Sequence, residues 1–425
     1  MTGNKTDFEL LIEKTMYSLH DRPPVGAVPT VTNAPVVSLV NRIIEDALAQ
    51  NASDIHLEPV GNAIRIRMRI DGMLQELHPQ LPQKLLPLIS GRIKIISKIN
   101  TVESRLPQDG RITYPYKGRN IDIRVSTLPI INGEKFVLRL LDVSHNLRSI
   151  SELDYSAENE QLFRSWCHKP YGLILNVGPV NSGKTTTLYA ALNELDSPSR
   201  NIITIEDPVE YYLPGINQIQ VNEKIHLSFA KGLRAILRQD PDVVMLGEIR
   251  DEETAEIAIR AALTGHLLFT TLHTSDAAGA VFRLLDMGVA PYLLSASLIG
   301  ITAQRLVRRI CPYCAEKYKV SPDSNEYAFL SAAGYKASEL WHAAGCEHCN
   351  HSGYLGRIAL QELLPLTRVL RDAIIKKLDR SSFEALSLKE GLKPLLSDGI
   401  EKAISGKTTL SEVRRVLYGD FSSNI

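Results

Sequence analysis

The chain has 425 residues, more than one ordinary hydrophobic core serves and suited to two or three domains. Lysine plus arginine total 48 and aspartate plus glutamate total 48, so the formal net charge is zero, which argues against a nucleic-acid binder working through bulk charge. Hydrophobic residues at 44% and charged residues at 23% exclude a disordered chain, and no window reaches the roughly 18 to 20 apolar residues that span a bilayer.

The start, MTGNKTDFELLIEK, carries acidic residues where a signal peptide would be apolar, so a cytoplasmic protein is expected. Within residues 1–20 the positions Phe8, Leu11, Ile12, Thr15 and Leu19 fall near one face of a helix. Prolines at 23, 24, 29 and 35 read as an extended linker, giving a tail and linker over 1–34. A helix is expected from about Val36 to Gln50. Alternating strands follow at 64–70, 121–125 and 135–141, so residues 35–150 read as an α+β domain.

From about Leu153 the texture changes. Short apolar strands at 173–177, 201–205, 243–246 and 267–272 alternate with helical stretches, the pattern of buried parallel strands with crossover helices. This gives an α/β core over 151–305, a cysteine-bearing element over 306–357 and a helical region over 358–425, with a Gly-Asp break near 419–420.

After the strand LILNV comes Gly178-Pro179-Val180-Asn181-Ser182-Gly183-Lys184-Thr185-Thr186, a G-x-x-x-x-G-K-[ST] loop between a strand and a helix. Backbone N–H groups of such a loop surround nucleotide phosphates, and the helix N-terminus adds partial positive charge. Lys184 is expected to reach the β- and γ-phosphates of ATP, and Thr185 to hold Mg²⁺. Asn181 suits a left-handed backbone position, because Asn tolerates it best after glycine.

Three further segments follow. ITIEDPVEY puts Glu206, Asp207 and Glu210 just past a strand, where ligands of open α/β sheets sit. RQDPDVVMLGEIRD ends a strand at Gly247-Glu248, and TGHLLFTTLHT brackets another with His266 and His273. Phosphoryl transfer to water needs a metal, a group that orients water and cations on the developing charge. Glu206 is expected to orient or activate the water, Glu248 to serve the metal side, and His273 to bond the γ-phosphate. Singly, each of these is more often a cap, a solvated loop residue or a structural histidine. Their joint placement after one phosphate loop reverses that reading.

Cys311-Pro-Tyr-Cys314 and Cys346-Glu-His-Cys349 are two Cys-x-x-Cys pairs, and in a reducing compartment they point to a four-thiolate Zn²⁺ site. The 31 residues between them exceed the common spacing. His348 and His351 are lower-ranked alternative ligands, and Cys167, alone beside Trp166, reads as a packing residue.

Together these segments resemble the secretion ATPases that drive type II secretion and type IV pilus assembly. GPVNSGKTTTLY resembles their Walker A loop, ITIEDPVEY their aspartate box, LRQDPDVVMLGEIRD their Walker B and TGHLLFTTLHT their histidine box. ASDIHLEP, RIDGML, RLPQDGR and IDIRVSTLP carry the likeness through the first domain, so that it spans about residues 35 to 420. The resemblance implies a homohexameric ATPase, with a RecA-like carboxyl-terminal domain preceded by a PAS-like amino-terminal domain. Arginines of the latter complete the nucleotide site; the matching residues are Arg124 and Arg139, with Arg111 a third. It further implies a partner platform protein at the inner face of a bacterial inner membrane and peripheral membrane association through that partner; no nucleic acid is expected, given the neutral charge and the absence of interleaved basic–aromatic stretches.

The tetracysteine element matches assembly-type rather than retraction-type members. Val180 and Asn181 stand where the family's loop usually has Thr-Gly, which bears on turnover rate. Only some 35 residues precede the matching segment, so the extra amino-terminal docking domain of longer members is expected to be missing or replaced. The alternatives are a retraction- or conjugation-type ATPase, a RecA-like nucleic-acid translocase, and a nucleotide-binding regulatory protein without turnover.

Overall fold

The computed structural model describes residues 6–20, 35–141 and 148–419. The chain divides into two compact units, Met1–Ser144 and His145–Ile425. Prolines 23, 24 and 29 of the expected linker lie outside the described residues. Pro35 does not belong to an extended segment: it is the first residue of a helix, where its missing N–H has no partner to lose.

The first unit opens with helix α1, Asp7–His20, whose Phe8 is buried and stacks on His78 at 4.1 Å between ring centroids. Helix α2, Pro35–Ala49, turns Val37, Leu39, Val40, Ile43, Ile44, Ala47 and Leu48 inward at helical spacing. Strands β1 (Asp54–Val60), β2 (Ala63–Ile70), β3 (Met73–Gln75) and β4 (Leu81–Pro82) precede helix α3, Leu86–Ile96. Strands β5 (Gln108–Tyr116), β6 (Arg119–Ile130) and β7 (Gly133–Leu141) complete an antiparallel sheet ordered β3-β2-β1-β7-β6-β5, with β4 paired to β2. Alternation is strict in β2, where Ile64, Ile66 and Met68 are buried and Arg65, Arg67 and Arg69 are not. One face therefore packs on α2 and α3 while the other carries charge.

The second unit contains α4 (Ala157–Cys167), β8 (Gly172–Val177), α5 (Lys184–Leu195), β9 (Ile202–Glu206), β10 (Asn217–Gln220), α6 (Phe229–Ile236), β11 (Val243–Leu246), α7 (Glu252–Leu263), β12 (Leu267–Leu272), α8 (Ala277–Asp286) and α9 (Pro291–Ser297). Strand β13, Leu298–Ile310, then joins the sheet beside β8, and β16, Tyr354–Pro365, returns antiparallel to it. The order is β10-β9-β11-β12-β8-β13-β16. Every residue of β8, β9, β11 and β12 is buried, because helices cover both faces of the parallel part.

Strands β14 (Ala315–Lys319) and β15 (Glu339–Ala343) form a small ribbon, with helix α10, Asn325–Ala332, between them. Helices α11 (Arg368–Ile375), α12 (Arg380–Lys389), α13 (Leu395–Ile404) and α14 (Leu410–Tyr418) follow. The helical tail expected from about 358 thus starts later. Residues 358–365 are strand, and Ile358, Leu360, Leu363 and Leu364 are buried on both of its faces, so their spacing mimics a helical stripe. The boundary expected at 305/306 falls inside β13 for the same reason: the strand is long, and polar residues occupy buried positions in it.

Candidate nucleotide site and cysteine cluster

In a parallel sheet the carboxyl ends of adjacent strands share one edge. Here β9, β11, β12 and β8 are neighbours, in register from Ile205–Leu246 through Leu246–Thr270 to Leu272–Val177. The residues just past or at those ends are Glu206, Gly247-Glu248, His273 and the loop from Gly178. Topology alone therefore gathers four segments that lie up to 95 residues apart in sequence.

The loop needs its glycines. Gly178 has φ +154°, and a Cβ there would lie 2.6 Å from the Gln304 carbonyl oxygen; Gly183, at φ +88°, caps the start of α5. Asn181 takes φ +63°, the left-handed region. Val180 is exposed, whereas Ser182 and Lys184 are buried. The Lys184 Nζ donates to the carbonyls of Gly178 at 2.9 Å and Pro179 at 2.8 Å. Burial pushes its ammonium down to about 8, with Glu248 opposing and Arg305 adding to that shift. Thr185 and Thr186 occupy the second and third positions of α5, both partly exposed.

Glu206 is only 3% exposed. Its Oε1 accepts from Thr204 Oγ1 at 2.6 Å and Gln218 Nε2 at 3.1 Å, and its Oε2 accepts a short bond from the Tyr189 hydroxyl. Burial raises its pKa although those three donors favour the carboxylate. This differs from the expected water-orienting role: the side chain that was to meet water is turned into the core and held there. Glu248 is placed otherwise. Its Oε1 accepts from Arg250 Nε at 2.6 Å, its Oε2 lies 3.1 Å from His273 Nε2, and Arg250 also reaches Asp207 at 3.2 Å. His266 does not join them; its Nδ1 lies 3.0 Å from the Ala261 carbonyl at the end of α7.

In the first unit, Arg111, Arg124 and Arg139 stand directly opposite one another across β5, β6 and β7. Arg139 Nε meets Asp54 at 3.1 Å and Arg111 Nε meets Asp122 at 3.3 Å. Like charges placed side by side across strands are destabilising. Nearby, Glu58 is buried, which alone would raise its pKa. Arg67, Lys135 and Arg65 surround it and together hold it at about 2.

The four cysteine sulfurs lie within 4.8 Å of one another, the one such convergence of three or more His, Cys, Asp or Glu side chains among the described residues. Three of the sulfur pairs are 3.8–3.9 Å apart. A tetrahedral zinc with sulfur ligands at about 2.3 Å has an edge of about 3.8 Å, so the cluster fits. Burial would raise the Cys349 thiol, but N–H groups of Cys346 and Gly353, each 3.2 Å from its Sγ, bring it down to about 6. His348 is not among the converging groups: its ring stacks on Tyr313 at 4.2 Å. Cys167 is buried in the core.

Sequence reasoning did not find Tyr189, Thr204, Gln218, Arg250, Gln304 or Arg305. Polar residues inside the apolar strand segments ITI and ITAQRLV were the available signal.

The fold and the loop define a class, a mixed α/β protein carrying a phosphate-binding loop at the carboxyl edge of a parallel sheet. The sequence profile of the type II/IV secretion system proteins matches residues 30–415, and the chain belongs to that family. It is 50% identical over 391 residues to the putative type II secretion system protein E of Escherichia coli K12, covering 92% of this chain and 78% of that protein. It is 46% identical over 385 residues to the type II secretion system ATPase E of Vibrio cholerae, covering 90% and 76%. Among solved structures it is similar to the pilus retraction motor PilT with bound ADP, at a TM-score of 0.59 and 27% identity over 90% of this chain and 98% of that one. No helix among the described residues is long and apolar enough to cross a membrane.

Proposed function

We propose that this chain is a homohexameric ATP hydrolase that powers a type II secretion machine or the assembly of a type IV pilus. The observation that carries the reading is the meeting of the phosphate loop, Glu248 and His273 at one sheet edge, in a member of the secretion family. The names of its relatives at 46–50% identity support secretion over retraction, since the likeness to the retraction motor is 27%. The cysteine cluster supports the assembly branch as well.

In this reading the second unit is the RecA-like ATPase core and the first is PAS-like. The loop N–H groups and Lys184 bind the phosphates of ATP. Thr185 would hold Mg²⁺, which would neutralise phosphate charge. Water attacks the γ-phosphorus and gives its proton to the Glu248 carboxylate, the bond to the bridging oxygen breaks, and ADP leaves with the displaced electron pair beside inorganic phosphate. We assign the water to Glu248, whose carboxylate is paired with His273 outside the core. Glu206 braces α5 against β9 through Tyr189. Arg124 and Arg139, with Arg111, supply charge to the γ-phosphate. Cys311, Cys314, Cys346 and Cys349 would hold Zn²⁺, which fastens two loop segments. Force passes to a platform protein at the inner face of the inner membrane, and nucleic acid has no part.

Purified protein is expected to hydrolyse ATP in a Mg²⁺-dependent way, unchanged by DNA, and to co-purify with an inner-membrane protein of the secretion machine. Turnover equal in wild type and Lys184→Ala would sink the motor reading, and DNA-stimulated turnover would favour a translocase.

A further inference from the structure

We infer that Gln304 is a positioning residue of the phosphate loop, an inference that rests on the nucleotide-site reading above. Gln304 lies on β13, beside the strand that delivers the loop, and is 1% exposed. A fully buried amide in the interior of a sheet is costly unless both its ends are bonded. Both are. Its Oε1 accepts from Thr187 Oγ1 at 3.0 Å, and its Nε2 donates to the Ser182 carbonyl at 2.7 Å.

The two bonds determine one another. The Ser182 carbonyl can only accept, so the NH₂ group must face it, and the amide oxygen is left to accept from the Thr187 hydroxyl. The reverse orientation would set a carbonyl oxygen against a carbonyl oxygen. Thr187 stands one turn beyond the start of α5, and Ser182 two residues before that start. One side chain thus ties the loop and the first turn of its helix to a neighbouring strand.

The consequence for binding follows from peptide geometry. In a planar trans peptide the C=O and the next N–H point in opposite directions. Holding the Ser182 carbonyl toward Gln304 therefore turns the Gly183 N–H away from Gln304. That N–H is one of the loop donors on which a phosphate depends. Gly183 leaves the tie room, since a Cβ there would come within 3.0 Å of Gln304 Nε2. Gly178 does the same for the Gln304 backbone, whose carbonyl would meet a Cβ at 2.6 Å. Gln304 touches no nucleotide in this account and acts by aiming backbone donors.

The test uses the full chain, a fluorescent ADP analogue and steady-state ATP hydrolysis. Gln304→Glu keeps the shape and replaces the donor by an acceptor; Gln304→Met keeps the length and removes both bonds. Each is expected to raise the analogue's Kd and the KM for ATP by on the order of tenfold or more, because misaimed loop donors weaken every phosphate contact together. Thr187→Val is expected to move both constants the same way by less. Adding it to Gln304→Met should cost no more than about a further twofold, as residues sharing one network are non-additive.

Kd and KM within twofold of wild type for both Gln304 variants overturn the inference. So does a fall in the number of binding sites at unchanged Kd, which is the mark of misfolding alone. Fully multiplicative effects of Gln304→Met and Thr187→Val overturn it too. Wild type that binds no nucleotide overturns the nucleotide-site reading itself, so the two failures are distinguishable.

Discussion

The two sheets of this molecule solve the placement of charge in opposite ways. In the first unit an antiparallel sheet buries one face, and alternation puts Arg111, Arg124 and Arg139 in a row on the other. In the second, the central strands are buried on both faces, so no charge survives along them and the polar residues collect where the strands end. A half-buried sheet offers a surface on which cations stand in ladders. A fully buried one offers an edge at which a loop, a carboxylate and an imidazole meet. Two seven-stranded sheets, one antiparallel and covered on one face, the other largely parallel and covered on both, thus yield a broad electrostatic face and a compact edge site.

The widest expected gap between the two regions is in binding. Lys184→Ala removes the loop cation and is expected to lower ATP hydrolysis on the order of a thousandfold, with nucleotide affinity reduced as well. Arg124→Ala should instead lower kcat on the order of a hundredfold while a fluorescent ADP analogue still binds within a few fold, if the arginine row meets charge that develops in the transition state as proposed. Equal losses of affinity in the two variants would erase the proposed division of labour.

Within the edge site, Glu248→Gln and Glu206→Gln should separate. Replacement of Glu248 is expected to cost on the order of a hundredfold in kcat with the melting temperature nearly unchanged. Glu206→Gln would set an amide NH₂ among the donors of Thr204, Tyr189 and Gln218, so the melting temperature should fall by several degrees while kcat falls by about tenfold. A larger catalytic loss for Glu206 would restore the water-orienting role read from its motif.

Metal analysis should find about one zinc per chain, and a strong chelator should lower the melting temperature by several degrees. Normal folding without zinc after all four cysteines become serine would remove the metal from the account.

The smallest effect belongs to the charged face. The folded pKa of Glu58, about 2, lies below its usual 4.5. Its ion pairs therefore contribute stability that is full above about pH 4.5 and is lost as pH falls toward 2. With its cations partly exposed, a contribution of about 1–2 kcal/mol is expected. Thermal melts of Glu58→Gln and wild type should differ at pH 7 and converge as pH falls toward 2. A constant difference would show that packing, not charge, is lost.

Much of this was legible in the chain. The alternation of Ile64, Ile66 and Met68 with Arg65, Arg67 and Arg69 announces a half-buried strand, and the glycines and lysine of the loop announce their own geometry. Residues 358–365 were not legible, since leucines buried on two faces of a strand have the same spacing as a helical stripe. The surroundings of Glu206 were hidden for a related reason. Its motif marks a strand end, but whether a strand-end carboxylate faces water or the core depends on Tyr189 and Gln218, which arrive from other elements.

Local chemistry and period are written along the chain, and they settled the class of fold, the phosphate loop, the cysteine pairs and the family. Pairing across distance is not written there. That Gln304 reaches Ser182 over 122 positions, that three arginines share one cross-strand row, and that one carboxylate is walled in by uncharged donors while another pairs with Arg250 and His273 were decided by strand order and register. These are properties of the packed whole, because only burial of both partners makes one neighbour preferable to water.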